Sequence, residues 1–211
     1  KQPQVSLGLV FLTPRFFEHA SFILELFRVH AQIPLLLGCS SQSLIVGDQE
    51  IEESDGLVLG LYSLPGARLQ PFHFEQAQLE EATGPGYWHL ETGVSPDENN
   101  GWLVFADPFQ LDCEAWLNSW NEAYAPRPIL GGLASGDPSA SATQLYLNGQ
   151  VFEGGGVAVA IGGDTDLASI HGEQAFTALL AAVRAQHLNP APLTPASFAG
   201  IAPQRHSLSG D

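Results

Sequence analysis

The sequence predicts a mixed α/β protein built from two pseudo-symmetric β-α-β-β units, with mixed sheets and the helices outside them. Two observations carry this. Residues 9–14 read LVFLTP and residues 103–108 read LVFADP, 94 positions apart. Residues 34–41 (PLLLGCSS) and 128–135 (PILGGLAS) align at the same offset. A third pair, GLVLGLY (56–62) and GVAVAIG (156–162), aligns after a six-residue insertion. Self-similarity at a long period bears on the whole fold, and two copies cannot make a solenoid. They point to two related halves with function where the halves meet.

Residues 5–12 (VSLGLVFL) are a nearly continuous apolar run, the pattern of a strand buried on both faces. Thr13-Pro14 pairs an N-cap residue with Pro at the first helical position, which predicts a helix to about Ala31. Its apolar stripe is Phe16, Phe17, Ala20, Ile23, Leu24 and Phe27. Residues 34–38 return as a second buried strand. A β-α-β crossover of this kind makes parallel neighbours. The second copy repeats the order: strand Trp102–Ala106, cap pair Asp107-Pro108, and a stripe of Phe109, Leu111, Trp116, Leu117 and Trp120. The common offset aligns Phe22 with Trp116 and Leu26 with Trp120, so all four are expected in the core.

Further strands follow each unit: Ser43–Val46, Leu57–Tyr62 and Arg68–Phe74, then Ala142–Leu147, Val151-Phe152 and Val157–Ile161. Asn148-Gly149 between apolar runs predicts a hairpin. Residues 82–100, rich in Gly, Pro, Asp and Asn, read as a linker between the copies. Glu173–Gln186 is an Ala-rich helical pattern, and 189–211 shows little periodicity.

The chain of 211 residues carries 23 Asp and Glu against 7 Lys and Arg, a net charge of −16. That charge repels phosphates and anionic lipid heads, and argues against nucleic acid and membrane partners. No apolar run approaches the length of a membrane span. Two cysteines, Cys39 and Cys113, do not make a disulfide scaffold and point to a reduced, cytoplasmic compartment with both thiols free. The chain contains no methionine, and the expectation from this is a fragment or a sequence closed over gaps.

The strand-to-turn junctions are the candidate sites, because ligands of α/β sheets bind beyond the carboxyl ends of strands. Gly38, Cys39, Ser40 and Ser41 stand at one junction. Gly132, Ala134, Ser135 and Gly136 stand at the other. Glycine admits close backbone approach and serine supplies hydroxyls. Thr13 and Asp107 end the adjacent strands, at the floor of an expected cleft, with Asp107 as the acceptor for a ligand ammonium. The alternative for each is a turn or cap residue. Cys39 is the one nucleophile candidate. It needs a base, drawn from His19, His73, His89 or His171, and none is placed by its spacing. His73 and Glu75, at alternate positions of a predicted strand, either share a functional face or are an ordinary solvent-facing pair. No histidines stand at metal-ligand spacing, and no P-loop, dinucleotide fingerprint or nucleophile elbow is present. Neither metal nor cofactor is expected.

The ordered set LVF-x-x-P, PLLLGCSS, GG-x-ASG and NGQVFEGGGVAVAIGG resembles the FIST family, named for F-box and intracellular signal transduction proteins. The resemblance covers about residues 5–163 as a FIST N-terminal domain, so residues 1–163 form one domain with internal copies at about 5–75 and 101–163. Residues 164–211 are similar to a shortened start of the companion C-terminal domain. A Q-G-C-R-P-like stretch that the family carries between the two is missing. The resemblance implies an intracellular sensory domain for small ligands, amino acids among them, with a signalling output partner. It implies no catalytic residues. The two motif loops match Gly38, Cys39, Ser40 and Ser41, with Gly132, Ala134, Ser135 and Gly136. Two alternatives stand beside this: a Cys39-dependent acyl transferase or hydrolase, and a protein-interaction module without a ligand.

Overall fold

The structure, a computed structural model, describes residues 4–46, 49–52, 54–136 and 141–165. Eleven strands and four α-helices lie within them. The predicted tail helix at 173–186 lies outside the described residues.

The first half runs β1 (Leu7–Leu12), α1 (Ala20–His30), β2 (Leu36–Ser40), a short hairpin of β3 (Leu44–Val46) and β4 (Gln49–Ile51), β5 (Leu57–Tyr62) and β6 (Ala67–Phe74). Then come α2 (Gln76–Glu81) and α3 (Pro85–Thr92). The second half runs β7 (Gly101–Ala106), α4 (Cys113–Tyr124), β8 (Ile129–Leu133), the hairpin β9 (Leu145–Leu147) and β10 (Gln150–Phe152), and β11 (Gly156–Gly163). β1 pairs parallel with β2, and β7 pairs parallel with β8. β5 runs antiparallel beside β1, and β11 antiparallel beside β7. One sheet has the order β10-β9-β2-β1-β5 and the other β6-β11-β7-β8, so the mixed α/β class holds. Two strands cross over: β9 adds to β2 of the first half, and β6 adds to β11 of the second.

Alternation along buried strands gives each sheet two apolar faces, and both are covered. Leu37 and Cys39 of β2, Leu145 and Leu147 of β9, Phe105 of β7, and Val157 and Val159 of β11 fill the space between the sheets. Phe11 meets Phe105 edge to face there, with ring centroids 5.3 Å apart. Val10, Leu12, Leu36 and Tyr146 point the other way, against Ala20 and Leu24 of α1. On the far side Trp102, Val104 and Ala158 pack against Trp88 of α3 and Trp116, Trp120 and Tyr124 of α4. The result is four layers: helix, sheet, sheet, helix. Trp88, Trp102, Trp120 and Tyr124 are fully buried. Each removes about 150–250 Å² from water, about 4–6 kcal/mol of transfer free energy before ordering costs.

Several expectations are corrected. Pro14–His19 is a 3-10 helix, and α1 begins only at Ala20. In the second half Asp112, not Asp107, caps α4 by accepting the Ala115 N–H. The helical stripes therefore do not keep the common offset. Leu24 of α1 and Trp120 of α4 point inward, whereas Phe22 and Leu26 are 71% and 41% exposed. The strand register also slips. Gly38 lies opposite Val10 and Gly131 opposite Val104, so Gly131 and not Gly132 is the counterpart of Gly38. Steric contact explains both: a Cβ on Gly38 would stand 1.7 Å from the Val10 carbonyl oxygen, and one on Gly131 1.6 Å from that of Val104. Residues 82–100 are more than a linker, because they contain α3 and its buried Trp88. The Asn148-Gly149 hairpin is present, with φ of 51° and 87° at the two turn residues, as a type I′ turn requires.

Candidate functional site

The two motif turns converge, and they converge on each other. The Ser135 N–H donates to the Ser40 carbonyl at 3.1 Å, and the Gln42 N–H to Ser135 Oγ at 3.0 Å. Each turn is also tied to its own first strand: the Ser41 N–H donates to Leu12 O, and the Ala134 N–H to Ala106 O. Ser40 is fully buried, and its hydroxyl accepts the Gln144 N–H at 3.0 Å. Ala134 and Gly136 are buried as well, while Gly132 is exposed and Ser41 and Ser135 are partly so.

Thr13 and Asp107 end β1 and β7 in matching ways. The Thr13 N–H donates to Gly56 O just before β5, and the Asp107 N–H to Gly155 O just before β11. Both side chains make internal hydrogen bonds. Thr13 Oγ1 accepts the Gly56 N–H at 3.0 Å and donates to Gly56 O at 3.2 Å. Asp107 is 1% exposed. Its Oδ1 accepts the Phe109 and Gln110 N–H groups at 2.5 and 2.8 Å, and its Oδ2 accepts the Thr143 hydroxyl at 2.5 Å. The expected cleft floor is thus occupied by internal hydrogen bonds that close the turn after β7.

Cys39 and Cys113 are both free thiols. Cys39 is 4% exposed among apolar neighbours, and burial pushes its pKa up to about 12. Almost no thiolate forms at neutral pH, so the sulfur has the character of a small core residue. Burial, with the nearby Asp107 and Asp112 carboxylates, raises Cys113 to about 11.

An open groove lies elsewhere, at the end of the sandwich where β6 stands across from β10. Its volume is about 800 Å³. Phe17 and Ser21 line it from the first half's helical segment, His73, Glu75 and Gln76 from the end of β6 and the start of α2, and Gln110 and Gln144 from the second half. Phe152 to Gly155 complete it. The His73 ring stacks on Phe152 with centroids 3.9 Å apart and planes 18° apart. Its Nε2 is buried with no hydrogen-bond partner among the described residues. Burial lowers the His73 pKa, partly offset by the Glu75 carboxylate and the Gly154 backbone. Three glutamine amides converge here. Gln110 Nε2 donates to Glu153 O, Gln144 Nε2 to Phe17 O at 3.4 Å, and Gln76 Nε2 to Glu80 Oε1 at 3.2 Å. A second hollow of about 700 Å³ near Pro34 and Pro65 has no titratable side chain in its lining.

β6 ends at Phe74 and Glu75 is the exposed N-cap of α2, so His73 and Glu75 are not on one strand, although both line the groove. Gln110 and Gln144 carry no local motif and were not legible, and Phe152 lies in the NGQVFEGGG stretch, where the sequence reads a strand rather than a site. The alternation at 73 and 75 was the one available signal. No group of three metal-ligating side chains is found among the described residues. No described helix is long and apolar enough to cross a membrane.

A family model described as the FIST N domain matches residues 6–202. The matched stretch continues past residue 163, where the sequence places a domain boundary. No curated protein matches the chain. The match spans most of the sequence, with the motif turns and the groove inside it, and the chain belongs to the FIST family of signal-transduction sensory domains.

Proposed function

We propose that the chain is a cytoplasmic sensory domain that binds an amino-acid-like small molecule and passes the event to a signalling output partner. The groove between β6 and β10 carries this reading. Its size falls within the range of about 300–1,000 Å³ usual for small-ligand sites, and its lining is mainly polar, with Phe17, Val151 and Phe152 as its large apolar side chains. Glu75 and Glu153 are exposed at its rim and supply acceptors for an ammonium. Each of the three glutamine amides spends one hydrogen on a neighbour and keeps the other for a carboxylate. Phe17 and Phe152 would hold the apolar part. The test is a thermal-shift screen of the full chain against amino acids, followed by calorimetric titration of the ligand found. Binding to the native state raises the melting temperature by mass action. Glu153→Gln is expected to weaken binding about tenfold, equivalent to about 1.4 kcal/mol. If no amino acid raises the melting temperature, or Glu153→Gln binds as tightly as the parent, the reading fails.

A second reading keeps the ligand at the motif turns. Gly132 favours it, since nothing stands within 4 Å of where its Cβ would be, and the Ser41 and Ser135 side chains keep part of their exposure. Ser135→Ala in the same titration separates the two: it weakens binding only if the turns hold the ligand. The domain division belongs to the same proposal, with residues 1–163 as the sensory unit, copies at about 5–75 and 101–163, and 164–211 beginning a companion domain. The repeated strand pairing supports the copies.

A further inference from the structure

The groove between β6 and β10 carries two carboxylates, whereas a neutral amino acid needs one. Glu75 and Glu153 are both exposed, and both line it. His73 is the other ionisable side chain of the lining among the described residues, and burial holds it toward its neutral form. No Lys or Arg stands among the described lining residues, and the whole chain has 7 of them against 23 acidic residues. A ligand without net charge would therefore leave one of the two carboxylates without a partner.

The two carboxylates belong to segments that touch. Gly155 stands just before β11 at a φ of 76°, and a Cβ there would lie 2.1 Å from Phe74 O and 3.1 Å from the Glu75 Cα. That approach sets the Glu153-Gly154 turn beside the start of α2. The surroundings of the two differ. Glu153 stands with Gln110, whose amide donates to Glu153 O, and a Cβ on Gly154 would meet the Gln110 carboxamide at 3.2 Å. An amide N–H beside a carboxylate suits the zwitterionic end of an amino acid. Glu75 stands toward the aromatic wall. It follows His73, whose ring lies on Phe152, and its carboxylate acts on that ring. The Gln76 amide beside it is engaged at both ends: Oε1 accepts the Asp112 N–H at 2.9 Å, and Nε2 donates to Glu80 Oε1. Glu75 also accepts the Gln78 N–H in the capping box of α2, which uses one of the about four lone-pair sites of a carboxylate.

We propose, resting on the reading of this groove as an amino-acid site, that it selects a cationic amino acid, one whose side chain ends in an ammonium or a guanidinium. Glu153 takes the α-ammonium beside the Gln110 amide, and Glu75 takes the side-chain cation beside the His73–Phe152 stack. The methylenes of such a ligand lie along Phe152. Both carboxylates then have partners. The net charge of −16 draws any cation toward the chain, but a paired carboxylate distinguishes two ligands by where their charge sits.

Calorimetric titration of the full chain with L-arginine and with L-citrulline isolates the charge, since citrulline carries an oxygen in place of one guanidinium nitrogen at the same side-chain length. Arginine is expected to bind about fivefold more tightly at low ionic strength, the upper end for one exposed ion pair, and added salt should shrink the ratio. Glu75→Gln keeps an oxygen for the Gln78 N–H, so α2 stays capped, and it should bring the ratio toward one. Glu153→Gln should weaken both ligands alike and keep the ratio. Citrulline or L-glutamate bound by the parent as tightly as arginine would overturn the proposal while the groove still stands as an amino-acid site. An arginine preference that survives Glu75→Gln would overturn it as well, since the preference would then belong to the net charge of the chain. Binding of no amino acid, whatever its charge, would end both readings.

Discussion

Asp107→Ala separates a structural carboxylate from a ligand-binding one. The side chain is buried and accepts three donors: the Phe109 and Gln110 N–H groups and the Thr143 hydroxyl. Removing a side-chain acceptor from two such N–H groups costs about 1 kcal/mol, by analogy with helix caps. Leaving the buried Thr143 hydroxyl without its charged partner adds about 1–3 kcal/mol. The expected loss is about 3 kcal/mol. For a chain of this length about 2–4 °C is lost per kcal/mol, so the melting temperature should fall by about 6–12 °C. Asp107→Asn keeps one oxygen for the two N–H groups and weakens only the Thr143 contact, so about 1 kcal/mol is expected. The assay is thermal and urea unfolding of the parent and both variants, with calorimetric titration of the amino acid that the screen identifies. At a temperature where each variant is folded, affinity should fall at most a few-fold, through Gln110 and Gln144, which Asp107 helps to position. An alanine variant that melts with the parent while losing its ligand would refute the structural role and return Asp107 to the binding site.

Three other outcomes follow from the same contacts. Gly131→Ala should destabilise by several kcal/mol, since its Cβ would stand 1.6 Å from Val104 O at a φ of 151°, and Gly132→Ala should melt near the parent. A Gly131→Ala variant as stable as the parent would remove the register assigned here. Cys39 should resist alkylation at neutral pH in the folded chain and react fully in urea, because burial holds its pKa near about 12. Rapid native labelling, or a hydrolytic or transfer activity lost in Cys39→Ala, would favour the enzyme reading. Burial lowers the His73 pKa below its ordinary value of 6.5, so the unfolded chain takes up a proton first as pH falls. Stability should therefore drop as pH falls through and below about 6.5. His73→Phe, which keeps the stack on Phe152, should flatten that slope between pH 7.5 and 5.5, and an equal slope in both proteins would contradict the assignment.

The strands were legible because both faces of each sheet are covered, which makes runs such as LVFL and WLVFA apolar throughout. The helix starts were not. Asp107-Pro108 has the composition of a cap, but its carboxylate closes a turn, and the true cap, Asp112, comes five residues later. The 3-10 segment in one half and the turn in the other advance the two helices differently. A constant offset therefore placed Phe22 and Leu26 inside when they are outside. α3 was hidden in a Gly- and Pro-rich stretch because Trp88, with its indole N–H donating to Ser119 Oγ at 2.7 Å, is anchored by tertiary contacts rather than by any helical period. The groove was the least legible feature, since its side chains come from segments far apart in the chain.

The motif residues and the groove are nevertheless joined through two consecutive positions. Thr143 bonds Asp107 at the end of β7, and the next residue, Gln144, pairs with Ser40 at the end of β2. Gln144 then reaches Phe17 O with one end of its amide, accepts the Tyr146 hydroxyl with the other, and lines the groove. The Gly/Ser turns lock the two halves to each other through Ser40 and Ser135, and that lock fixes where Gln144 stands. A sequence that needs a groove built from both halves must first hold the halves in register. Within the motif turns, the Ser40 and Ser135 hydroxyls and the Asp107 carboxylate accept the hydrogen bonds that hold this register.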